Sequence, residues 1–231
     1  MVAATEKTFE ERVAEATADL FDLDRRLADD WEPICIPMSY DEFLNFELPD
    51  VFFEWADGEA VEVPVGDRLH VMLQTWLMTL LYMWVERQKL GEVLAEDYSM
   101  RAEEDGNARK PDVRFVAAEH LKRIGEKGMT GPCDVAVEVI SPSTAKLDRV
   151  TKFREYASGG VGEYWLLDPR KKQAQFFRLV DGRYEPATFD RDGNFRSSVI
   201  DGVFIDPDWL WDQPPVDDIL ARWQAEADKE A

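Results

Sequence analysis

Residues 134–144 read DVAVEVISPST. Val135, Val137 and Val139 alternate with Ala136 and Glu138, which is the period-2 pattern of a strand. Ser141, Pro142, Ser143 and Thr144 then break the strand and open a helix to about residue 157, where Gly159 and Gly160 stop it. Residues 163–167 resume an apolar strand pattern. Upstream, residues 111–116 and 92–100 read as two further strands, separated by the polar turn 103–107. Before them, Asp67 caps a long helix running to about Leu90, with Gly91 to end it. The order from residue 67 is therefore αβββαβ. It departs from strict β–α alternation, so we expect an α/β (α+β) fold, its mixed sheet carrying parallel and antiparallel pairs and flanked by helices.

The flanks add smaller elements. Residues 6–28 place Phe9, Val13, Ala16, Leu20, Phe21 and Leu27 at helical spacing in a charged background, an amphipathic N-terminal helix. Pro33 and Pro37 bracket a short break, and Ser39 with Glu42 has the capping-box form. Residues 51–56 and 59–63 flank Asp57-Gly58 as a β-hairpin. Strand-like runs recur at 175–179 and 183–189, and from Trp209 onward we expect a strand end, a loop and a helix. This divides the chain into an N-terminal helical extension (1–36), a central domain (37–208) and a C-terminal helical tail (209–231).

Of the 231 residues, 45% are hydrophobic and 12% aromatic, ample for a core. No run reaches the 18 or so apolar residues of a membrane span. The richest stretch, 76–85, is flanked by Arg68, His70 and Glu86 and reads as a buried helix, so no membrane partner is expected. The N-terminus lacks the basic-then-apolar order of a signal peptide. Cys35 and Cys133 match no zinc or redox spacing and are expected as reduced thiols of a cytoplasmic protein, a disulfide requiring an oxidising compartment. The net charge of −21 argues against a simple nucleic-acid binder. It is uneven, however. Residues 109–178 hold 14 Lys/Arg against 9 Asp/Glu, while the remainder stands at −26.

Chemistry concentrates in that basic segment. Asp112 opens one strand and Glu138 lies near the end of the next, so two carboxylates on neighbouring strand ends can share Mg²⁺ or Mn²⁺. Asp148, Lys152 and Tyr156 recur at i, i+4, i+8 and share a helix face. A lysine there can orient water or neutralise a phosphate in its transition state; equally, Asp148 and Lys152 form an ordinary helical ion pair. Glu138 interrupts a run of valines, and a buried carboxylate demands a cation or strong donors.

Taken together, Pro111-Asp112, Glu138 through Thr144, Asp148, Lys152, Tyr156 and Gly160-Val161 with Glu163-Tyr164-Trp165 resemble the Uma-type putative restriction endonuclease family of the PD-(D/E)XK nuclease superfamily. Residues 38–43, Phe53-Glu54, Asp57 through Glu59 and His70 fit the same pattern, so the resemblance covers roughly residues 37–190. It implies a restriction-endonuclease-like αβββαβ core and a metal-dependent endonuclease acting on DNA. Asp112, Glu138 and Lys152 would be catalytic, with Asp112 and Glu138 holding Mg²⁺ or Mn²⁺. The superfamily motif places its lysine two residues after the glutamate, and that position is Ile140; Lys152 would be its displaced equivalent.

Glu54 is then either a third carboxylate for the metal or a hairpin residue paired with a base. His70 is either a donor near the phosphate path or a satisfied structural histidine, and Gln74 follows one turn later. Ser141, Ser143 and Thr144 are either phosphate donors at a helix N-terminus or caps. Tyr156 is a candidate hydrogen-bond partner of a catalytic group. Lys146, Arg149 and Arg154 are candidates for nucleic-acid backbone contact, and Lys171-Lys172 mark a turn. A homodimer would supply the two sites of double-strand cleavage. The alternative is a catalytically inactive protein of this fold acting as a binding or regulatory module; a third reading has the acidic N-terminal helix docking a basic partner or masking the site.

Overall fold

The computed structural model describes residues 7–17, 32–46, 48, 51–63, 66–95 and 98–230. They fall into two compact units: residues up to 65 together with 107–109, and residues 66–106 with 110–231. These boundaries differ from the division at 36/37 and 208/209 read from sequence. No helix among the described residues is long and apolar enough to cross a membrane.

In the first unit, Thr8 and Glu11 form a capping box that starts α1 (Phe9–Ala16). The remainder of the helix expected over 6–28, including Leu20, Phe21 and Leu27, lies outside the described residues. β1 (Cys35–Pro37) occupies the expected break between the two prolines and pairs with residues 59–61. Ser39 and Glu42 close their capping box around α2 (Tyr40–Phe43). β2 (Phe52–Ala56) and β3 (Glu59–Val63) form the expected hairpin. Asp57 (φ 52°) and Gly58 (φ 86°) both sit at positive φ, the requirement of a type I′ turn. The two-residue strand β6 (Ala108–Arg109) joins β2 at Trp55. Ile36, Phe43, Phe53 and Ala60 make the core of this unit.

The second unit carries the αβββαβ order. Asp67 accepts from the His70 amide and starts α3 (Arg68–Gln88). The helix ends not at Gly91 but at Lys89, which takes the left-handed conformation (φ 57°). Gly91 instead opens β4 (Gly91–Ala95) at φ 151°, where an added Cβ would stand 2.0 Å from the Val116 carbonyl oxygen. Gly91→Ala is therefore expected to destabilise the protein by about 1–3 kcal/mol, read as a shift in the urea midpoint. The strand expected over 92–100 is two strands: β4 and, beyond residues 96–97, β5 (Ser99–Arg101), which pairs in parallel with β8 (Gly128–Thr130). β7 (Val113–Ala117), β9 (Val135–Val139) and β10 (Glu163–Asp168) follow, with a short 3-10 helix (Ala118–Arg123) after β7. β11 (Gln173–Val180) and β12 (Arg183–Pro186) complete a sheet of order β12-β11-β10-β9-β7-β4. Within this sheet, among the described residues, only β9 and β10 run parallel; their crossover is the helical segment after Thr144. β13 (Phe195–Arg196) pairs with β14 (Phe204–Ile205), and Trp209 begins a helix, α5 (Trp209–Asp212), rather than ending a strand; α6 (Val216–Glu230) follows.

Side-chain parity sorts the sheet's two faces. Val113, Val135, Val137, Val139, Trp165 and Leu167 pack with Leu73, Leu77 and Trp84 of α3 and Trp223 of α6. Val116, Ala136, Ile140, Tyr164 and Leu166 pack on the other face with Met129, Tyr156 and Tyr184. Every residue of β9 and β10 is buried, so these strands are covered on both faces. Glu138 stands on the second face, inside that cover.

Candidate functional site

β7 and β9 are antiparallel with Val113 opposite Val137 and Arg114 opposite Ala136. Carried one residue further, this register sets Asp112 across from Glu138, and both are buried, 7% and 3% exposed. Asp112 is held from three sides. The Val139 amide donates to its Oδ2 at 2.5 Å, and His70 Nε2 lies 3.1 Å from its Oδ1. Gln74 Nε2 donates to the Asp112 carbonyl at 3.1 Å. His70 and Gln74 are one turn apart at the start of α3, so the Asp67 cap that begins the helix also places both donors on one face.

Glu138 Oε1 accepts from Lys152 Nζ at 3.0 Å and from the Tyr156 hydroxyl at 2.8 Å. Lys152 Nζ also lies 3.4 Å from Asp148 Oδ1. The face shared by Asp148, Lys152 and Tyr156 is thus present, although not on a plain α-helix. Leu147–Lys152 form a π-helical turn that continues into α4 (Phe153–Gly159), and Gly160 (φ 88°) ends it as expected. Such turns are rare and recur at functional sites. The Tyr164 hydroxyl donates to the Asp148 carbonyl at 3.0 Å. Burial, and then the negative charges of Glu138 and Asp148, raise the Tyr164 phenol well above its usual range, so it stays a neutral donor.

Arg114, fully buried on the same face, sits 5.8 Å from the Tyr98 ring centroid and donates to the Ala95 carbonyl. Burial pulls its pKa down, and the neighbouring Cys133, Tyr156 and Glu138 oppose that shift. Cys133, equally buried, has its thiol pushed up to about 12 by desolvation and stays neutral. Around the buried cations Lys152 and Arg114, the described residues bury the carboxylates of Asp112, Glu138 and Asp148. Among the described residues no three His, Cys, Asp or Glu side chains gather into a ready metal cage. Asp112 and Glu138 offer instead two hard-oxygen donors, the number with which Mg²⁺ is commonly held while water fills its other positions.

Residues 40–207 match the model of the Uma2 family, described as putative restriction endonuclease. The chain belongs to this family. The Uma2 match spans Asp112, Glu138 and Lys152 and stops short of α6. A relative from Synechocystis sp., the uncharacterized protein slr1290, is 30% identical over 131 residues, covering 56% of this chain and 67% of that protein. Among solved structures, a putative nuclease belonging to DUF820 from Anabaena variabilis superposes with a TM-score of 0.62 over 76% of this chain and 98% of that one. At 16% identity that likeness is one of fold.

Within the Uma2 region, Asp112, Glu138, Lys152, His70 and Tyr156 come together as described. Glu54 lies in the first unit, 2% exposed, with Arg109 Nη1 3.2 Å from its Oε2. Ser141 acts as a cap: its hydroxyl accepts from the Thr144 amide at 3.2 Å and lies 3.0 Å from the hydroxyls of Ser143 and Thr144. Ile140 is 4% exposed within the apolar cluster, so that position directs its side chain into the core. Arg114 was not singled out from the sequence, yet strand parity with Asp112 is the signal that puts it on the acidic face.

Proposed function

We propose that this chain is a divalent-metal-dependent endonuclease of the PD-(D/E)XK type that hydrolyses phosphodiester bonds in DNA. The observation that carries the reading is the pair of buried carboxylates in register across β7 and β9, with Lys152 donating to one of them. Asp112 and Glu138 would hold Mg²⁺ or Mn²⁺, as their oxygen donors and the excess buried negative charge suit. Once bound, such a cation lowers the pKa of water and stabilises charge developing on a phosphate.

The chain's own residues do the positioning. The Val139 amide and His70 fix both oxygens of Asp112, and Gln74 fixes the backbone beneath it. Tyr156 and Lys152 orient Glu138, so neither carboxylate has to reorganise during the reaction. Lys152 Nζ holds its positive charge beside Glu138 and Asp148, where it can orient an attacking water or offset the growing phosphate charge. A homodimer would bring two such sites to one duplex.

Purified protein is expected to nick supercoiled DNA with Mg²⁺ or Mn²⁺ and to stop on addition of EDTA. The competing reading is an inactive binding or regulatory module. It draws on Lys152, which is engaged by two carboxylates, and on the apolar position 140. Calorimetric metal binding without cleavage of any duplex would favour that module; cleavage that persists in EDTA would remove the metal from the mechanism.

A further inference from the structure

The turn joining β10 to β11 lies at the same end of the sheet as the carboxylate pair. Glu138 stands beside Leu166 in the parallel β9–β10 register, and the turn begins just past Asp168. Its sequence is Pro169-Arg170-Lys171-Lys172, with all three cations exposed. The turn at the opposite end, between β11 and β12, is Asp181-Gly182.

Buried Asp168 organises the cationic side. It accepts from Arg149 Nη2 at 3.2 Å and from the Lys171 amide at 3.1 Å, and Lys171 Nζ lies 3.4 Å away. Arg149 also donates to Gln175 at 2.6 Å, and exposed Lys146 precedes it on the same helical segment. Arg170 Nε donates to Asp67 Oδ2 at 3.1 Å. The other oxygen of Asp67 accepts from the His70 amide, and the His70 ring rests on Asp112. The basic turn is thereby tied by consecutive hydrogen bonds to the acid pair.

In a chain of net charge −21, a polyanion can approach only where cations are locally concentrated. We propose that the Pro169–Lys172 turn, with Arg149 and Lys146 beside it, is the surface that grips the phosphate backbone and presents the strand to Asp112 and Glu138. The proposal rests on the nuclease reading and adds which face the nucleic acid meets. Asp168 acts there as a positioning residue, holding Arg149 and Lys171 at the sheet end.

The test measures binding separately from cleavage. Full-length Asp112→Asn protein in EDTA is titrated into a fluorescein-labelled DNA duplex, and anisotropy is followed across a salt series. Adding Lys171→Ala with Lys172→Asn, asparagine being tolerant of the positive φ at 172, is expected to weaken binding about tenfold and to lower the log–log salt slope by about 0.9 per lost phosphate contact. Arg183→Ala, beside the opposite turn, is expected to change neither value, and thermal melting should confirm that each variant folds. If wild-type protein nicks DNA while the double substitution leaves affinity and slope as they were, this surface is overturned and the nuclease reading stands. If no form of the protein binds DNA, both fall. An equal loss in the Arg183→Ala control would show general charge attraction and would also overturn the assignment.

Discussion

Asp112→Asn is expected to lower the rate of metal-dependent nicking by about 10³-fold or more, the scale of several kcal/mol of charge stabilisation at a metal site. The substitution keeps shape. Asparagine's carbonyl oxygen can still accept from the Val139 amide, and its amide group can donate to His70 Nε2 once the neutral imidazole carries its proton on Nδ1, so both contacts that seat Asp112 can be kept. The Gln74 bond to the backbone carbonyl is untouched. What is lost is one of the two buried anions that would attract the cation. Metal affinity by calorimetry is therefore expected to fall together with the rate, while the melting temperature in EDTA stays close to wild type. A variant that nicks DNA at the wild-type rate would remove Asp112 from the mechanism, whatever its effect on stability.

Lys152→Met has a different signature, because Lys152 is both a candidate catalytic group and the counter-charge of a buried acidic pair. Its Nζ lies 3.0 Å from Glu138 and 3.4 Å from Asp148, and all three side chains are within 4% of complete burial. Removing the cation takes away the charge that both buried carboxylates contact, and breaking a buried pair costs about 3–5 kcal/mol. Against a typical folding stability of about 5–15 kcal/mol, the loss is large enough to lower the urea midpoint well below that of Asp112→Asn. Cleavage should be lost as well, measured at a temperature where the variant remains folded. A stability change under about 1 kcal/mol would mean that Lys152 does not compensate the acids.

Much of this arrangement is legible locally. The valine alternation from 135 to 139 marks β9, and the same alternation places Glu138 on the face opposite those valines. Asp57-Gly58 dictates its own turn through positive φ, and the Ser39–Glu42 pair announces the start of α2. These features rest on one or two residues and their near neighbours, so propensity and pattern suffice. Lys89 illustrates the limit. Glycine is the favoured helix terminator, yet close approach of β4 to the Val116 carbonyl claims Gly91, and Lys89 takes the left-handed position instead. The π-helical turn at Leu147–Lys152 is equally silent in the sequence. Its residues read as an ordinary i, i+4 face, and Lys152 meets both Glu138 and Asp148 only once that turn lies over β9.

The site follows the same division. Residue types and spacing put forward Asp112, Glu138, Lys152 and Tyr156 and ordered the elements that carry them, while His70 entered through the family resemblance. Glu54 and Ser141 each carried a metal- or phosphate-binding reading beside a structural one. Tertiary structure gave one a buried arginine partner and the other a capping role. Arg114 shows the converse, a buried cation beside the acids that parity permitted but no local motif announced. Sequence by itself determined the αβββαβ order, the strand faces and which strand ends carry an acid, because each depends on residues a few positions apart. Only the tertiary structure decided which donors meet each carboxylate. Those pairings join α3 to β7 and the π-turn to β9, and a hydrogen bond near 3 Å depends on register and helix phase that no single segment encodes.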